Sequence, residues 1–64
     1  MILAACARAV EMNAKIEFHE QSGEYTAEFN HMHEAQQFMR WLRHNKIKGH
    51  FFDKPVVLFW EDGP

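Results

Sequence analysis

The sequence predicts a small α+β domain: one antiparallel sheet of three or four strands, with a main helix over about residues 30–45 packed on one face. A short N-terminal helix accompanies it. Three observations carry this reading. Residues 14–20 and 24–29 alternate apolar and polar side chains on either side of Ser22-Gly23, the pattern of two half-buried strands. Met32, Ala35, Phe38, Met39 and Leu42 recur at helical spacing as one apolar stripe. Residues 55–61 read as a third strand, of continuous apolar character.

Residues 1–13 are rich in alanine, the best helix former. Ile2, Ala5, Cys6, Ala9 and Val10 fall on one side of a helix, and Asn13 supplies a stop. A leading strand through Ile2 and Leu3 competes with this helix, as does a poorly ordered stretch ahead of a start at Met12. In the hairpin, Ala14, Ile16 and Phe18 oppose Lys15, Glu17 and His19, while Tyr25, Ala27 and Phe29 oppose Glu24, Thr26 and Glu28. A two-residue turn at Ser22-Gly23 pairs Ile16 with Phe29, Phe18 with Ala27 and Glu20 with Tyr25, which puts both apolar sets on one face. That register also sets Glu17 opposite Glu28. Asn30 is the expected N-cap of the main helix, with Glu34 in its first turn where the helix dipole favours a carboxylate. The helix ends near Asn45, and Gly49 marks its exit. Residues 47–52 either pair with the last strand through a turn at Asp53-Lys54 or form a loop. On the last strand, Val56, Leu58 and Trp60 share one face, Val57 and Phe59 the other.

Sixty-four residues make a single domain, which buries only ~60% of the surface its unfolded chain exposes. A core of this size supplies ~3–5 kcal/mol of net stability. Little is left for a deep pocket, so a site is expected as a surface patch or as something completed by a second copy or a partner. An apolar fraction of 47% and a net charge of -2 place the chain among folded rather than disordered sequences. Cys6 is the single cysteine, which excludes an internal disulfide and makes a reducing, cytoplasmic setting the expectation. The apolar stretch 2–7 is too short for a signal peptide or a bilayer span, so no membrane partner is expected.

Charge is segregated. Between Glu11 and Glu34 lie Glu11, Glu17, Glu20, Glu24, Glu28 and Glu34 with one base, Lys15, whereas between Ala35 and Lys54 lie Arg40, Arg43, Lys46, Lys48 and Lys54 with one acid, Asp53. Local potential, not the total, is what a partner meets.

Candidate chemistry is sparse. His31-x-His33 resembles a chelating pair, but positions i and i+2 of a helix point ~200° apart, and a closed zinc site needs four ligands. The plain account is two exposed histidines. Cys6 sits among alanines, where free cysteine acts as a small hydrophobe. The carboxylates are exposed by pattern, and the three glycines form no phosphate loop. No catalytic residue, cofactor or metal is expected.

Two binding surfaces remain. Arg40, Trp41, Arg43, Lys46 and Lys48 lie in a basic, aromatic stretch, 40–52, where cations meet phosphates and rings stack on bases. A helix ending in cations is also plain dipole chemistry. The other set is Glu17, Glu24, Glu28, Trp41, Val57 and Phe59. The glutamates make an acidic hairpin face suited to a basic protein surface. Trp41 falls about 60° beyond Phe38 on the helix. Val57 and Phe59 lie on a sheet face that a single helix cannot cover, so the N-terminal helix, a second copy or a partner must. The leading expectation is a non-enzymatic protein-interaction module, with a homodimer slightly ahead of a monomer; a nucleic-acid-binding module is the alternative. No family's motif is matched. In size, acidity and lack of catalytic equipment the chain resembles, as a class, the small inhibitors and regulators that phages and mobile elements encode.

Overall fold

The computed structural model describes residues 1–53 and 55–61. Its elements run α1 (Ile2–Glu11), β1 (Lys15–His19), β2 (Glu24–Glu28), α2 (Met32–His44), β3 (Lys48–Asp53) and β4 (Val56–Trp60). The strands form one antiparallel sheet in the order β1-β2-β4-β3. From β2 the chain crosses the sheet through α2, enters at the far edge as β3, and returns as β4 between β3 and β2. The predicted α+β architecture holds, with the optional extra strand present as β3, Lys48–Asp53. Lys54, expected in the turn between residues 47–52 and the last strand, lies outside the described residues.

Both helices end alike. In α1, Asn13 takes a left-handed φ of 64°, its N–H donates to the Val10 carbonyl, and the Ala14 N–H donates to Ala9. In α2, Lys46 takes φ 59°, with its N–H on the Arg43 carbonyl and the Ile47 N–H on Leu42. These are Schellman endings, which satisfy carbonyls the helix leaves open. Asparagine tolerates the left-handed region; lysine is strained there. Gly49, expected to mark the helix exit, instead lies in β3. A Cβ there would stand 3.0 Å from Leu42 Cδ1 and 3.0 Å from the Leu58 carbonyl oxygen, so its small size makes room for the helix. The start of α2 differs too: His31, not Asn30, is the N-cap, and no side chain caps it.

The hairpin keeps the predicted faces but slides by two residues. Lys15 pairs with Glu28, Ile16 with Ala27, Glu17 with Thr26 and Phe18 with Tyr25. A four-residue loop, 20–23, replaces the two-residue turn. Gly23 at φ 75° donates its N–H to the His19 carbonyl, and the Ser22 hydroxyl accepts from the Glu24 N–H. Glu28 therefore faces Lys15 rather than Glu17, which removes the like-charge pair of the shorter turn.

Ile2, Ala5, Ala9, Ala27, Phe29, Ala35, Phe38, Met39, Leu42, Val57 and Phe59 form the core. Both helices thus cover one face of the sheet, the face of Ala27, Val57 and Phe59. Val57 and Phe59 are 0% exposed: they lie under both helices, not on a second face apart from the main helix, which leaves them outside any binding surface. Beside them sit Ala27 and Gly49, whose small side chains let the helices approach. Rings link the layers: Phe38 meets Phe59 edge-on at 5.3 Å, Phe29 at 5.2 Å and Trp41 in a stack at 6.3 Å. Val10, placed on the buried side of α1 by spacing, is exposed.

Candidate functional site: the uncovered sheet face

With both helices on one side, no element among the described residues covers the other face of the four strands. The alternation of each strand decides what it displays. Across β1-β2-β4-β3 the registers give three rows: His19, Glu24, Trp60 and Lys48; Glu17, Thr26, Leu58 and His50; Lys15, Glu28, Val56 and Asp53. The irregular pairing between Phe51 and Asp53 leaves Phe52 as an extra residue, 69% exposed. Such a bulge re-aims side chains. Here Phe52 lines two hollows of this face. One, of about 300 Å³, adds His19, Gln21, Ser22, Glu24, Thr26 and Leu58. The other, of about 240 Å³, adds Lys15, Glu17, Glu28, Asp53 and Val56. The result is an apolar floor of Val56, Leu58, Trp60 and Phe52 beside an acidic flank.

Its polar groups are held locally. His19 Nε2 and Thr26 Oγ1 share a hydrogen bond of 3.1 Å. The His50 ring lies 5.7 Å from Trp60, edge to face, and His50 Nδ1–H donates to the Phe51 carbonyl at 3.1 Å. A carbonyl only accepts, so that nitrogen carries a proton.

The expected protein-binding set does not form one surface. Glu17, Glu24 and Glu28 are brought together on the uncovered face. Trp41 lies in the helical layer, half-buried against Phe38, and Val57 and Phe59 are inside. The basic set divides as well. Arg40 and Arg43 line a hollow with Gln36, Met39 and Phe51 on the outer flank of α2. Trp41 occupies the opposite flank, Lys46 the α2–β3 turn, and Lys48 the uncovered sheet face. Spacing alone missed Val56, Leu58, Trp60 and Phe52 as surface, because nothing in the strand pattern states which apolar face the helices take.

The histidine pair is not arranged for metal. His31 stands outside the helix in extended backbone, so its ring stacks on His33 at 5.6 Å and 14° instead of pointing away. Lone pairs in near-parallel ring planes do not converge on one ion. Among the described residues no three His, Cys, Asp or Glu side chains stand together as a metal site would need. Burial pushes the Cys6 thiol up from its ordinary pKa, the opposite of an activated nucleophile. No helix among the described residues is long and apolar enough to cross a membrane. Comparison of the chain with protein-family models, with curated proteins and with solved structures gives no match.

Proposed function

We propose that this chain is a non-enzymatic protein-interaction module that docks through its uncovered sheet face onto a larger protein. One observation carries the reading: an apolar floor on the central strand, Val56, Leu58 and Trp60 with the exposed ring of Phe52, flanked on one side by Glu17, Glu24 and Glu28. Apolar centres with polar, charged rims are the anatomy of protein interfaces. The acidic flank selects a partner with basic groups beside an apolar patch. On this reading the chain acts by occupying its partner's surface, as an inhibitor or regulator of the class that phages and mobile elements encode, in the cytoplasm. A second copy is the competing occupant, because the half-buried floor with the exposed ring of Phe52 takes the role expected for Val57 and Phe59.

The test compares proteins retained by the immobilised chain from a source lysate with those retained by two variants, Leu58→Asp and Glu17→Lys with Glu28→Lys. The same protein should be retained by the wild type, lost from both variants, and kept by Arg40→Ala. Retention unaffected by either open-face variant overturns the docking face. Saturable turnover of a small substrate, abolished by changing one histidine or carboxylate, overturns the non-enzymatic reading. Sedimentation equilibrium at micromolar concentration identifies the second copy: a 15 kDa species (about twice the 7.6 kDa chain) that Leu58→Asp converts to monomer makes the occupant the chain itself.

A further inference from the structure

We propose that the hollow between α2 and β3 is a site for single-stranded nucleic acid, in which Arg40 and Arg43 hold phosphates and the Phe51 ring stacks on a base. Gln36, Arg40 and Arg43 stand at i, i+4 and i+7 of α2, one stripe on a single helix face. All three are exposed, while Met39 beside them is buried and anchors the stripe to the core. Phe51, on edge strand β3, faces the stripe with 38% of its surface exposed; together these residues line a hollow of about 370 Å³. Among the described residues no carboxylate lines it. Among the described residues neither arginine makes an ion pair; the salt bridge found there joins Arg8 and Glu11 on α1. Two unpaired guanidinium groups one helical turn apart are a phosphate-binding arrangement, since each offers a planar fork of donors to an anionic oxygen pair.

The aromatic wall decides between ligands. An acidic peptide would be served by the cations alone, whereas a ring set beside them matches a phosphate that carries a base. Gln36 adds an amide able both to donate to and accept from a base edge. Duplex is disfavoured because its bases are already stacked, and one ring at a sheet edge has no access to them. Trp41, Lys46 and Lys48 are absent from the site. Glu17, Glu24, Glu28 and Asp53 lie on the opposite sheet face, so the net charge of -2 does not describe the potential here.

Fluorescence anisotropy of a labelled 12-nucleotide oligo-dT, with duplex and an octaglutamate peptide as competitors, tests the proposal on the full chain. Two phosphate contacts give a log–log salt slope of about -1.4 for a single strand, so affinity falls ~25-fold between 20 and 200 mM salt. Arg40→Ala and Arg43→Ala should each reduce that slope by ~0.7. Phe51→Leu keeps the apolar volume against the core but loses the ring face; it should weaken binding about fivefold or more and leave the slope unchanged. Thermal melts confirm that each variant is folded. The proposal is overturned by no anisotropy change at 20 mM salt, by binding indifferent to Phe51→Leu, by duplex competing as well as single strand, or by octaglutamate displacing the oligonucleotide at equal charge.

Discussion

Two residues carry backbone and packing demands that substitution exposes directly. Lys46 holds a left-handed φ of 59° as the residue after the α2 C-cap. An L-residue with a Cβ is strained there by ~1–2 kcal/mol, and glycine is not. Lys46→Gly should therefore raise stability by about 0.5–1 kcal/mol after the entropy that glycine adds to the unfolded chain. Urea unfolding followed by circular dichroism measures it, and a loss of stability would contradict the strain. Gly49 makes the opposite demand. A methyl group there meets Leu42 and the Leu58 carbonyl oxygen at 3.0 Å, closer than real Cβ contacts come. Gly49→Ala should cost ~1–3 kcal/mol, the range for overpacking a core, by the same measurement. Both effects were hidden in the sequence for one reason: glycine after a helix reads as a helix stop. The stop was in fact made by a lysine, and the glycine was kept for space.

At the scale of elements, the faces of the hairpin were legible and its register was not. Alternation fixes which residues share a face, but a slide of two residues preserves every face, so periodicity cannot separate the two pairings. The four-residue loop 20–23 decides it, through Gly23 and the Ser22 hydroxyl. The consequence is measurable. With Lys15 opposite Glu28, Lys15→Glu creates a like-charge pair and should cost about 0.2–1 kcal/mol. Glu17→Lys, opposite Thr26, should change stability little. A two-residue turn would reverse this, since Glu17→Lys would then relieve a repulsion with Glu28. Thermal melts at low salt distinguish the two. The same limit hid the functional face. Val56, Leu58 and Trp60 look as buriable as Val57 and Phe59, and only pairing with Ala27 and Gly49 shows which set lies under the helices.

At the scale of the whole molecule, stability depends on the layer that the sequence left most open, α1. It packs on β1 and touches α2, contributing Ile2, Ala5 and Ala9 to the core with Cys6 and Met12 half-buried beside them. Fully burying an isoleucine is worth ~1.5–3 kcal/mol, and a domain of this size holds only ~3–5 kcal/mol in total. Removing α1 thus removes an amount comparable to the whole margin. Residues 12–64 alone should lose cooperative thermal unfolding and the amide dispersion of a folded sheet in a nitrogen–proton correlation spectrum. Leu3→Glu and Val10→Lys, on the exposed side of the same helix, should leave the melting temperature of the full chain within a few degrees. If 12–64 melts cooperatively at the same temperature, α1 is an accessory and the sheet is closed by α2 alone. If the exposed-side variants unfold the chain instead, Leu3 and Val10 have a covering that the isolated chain does not supply.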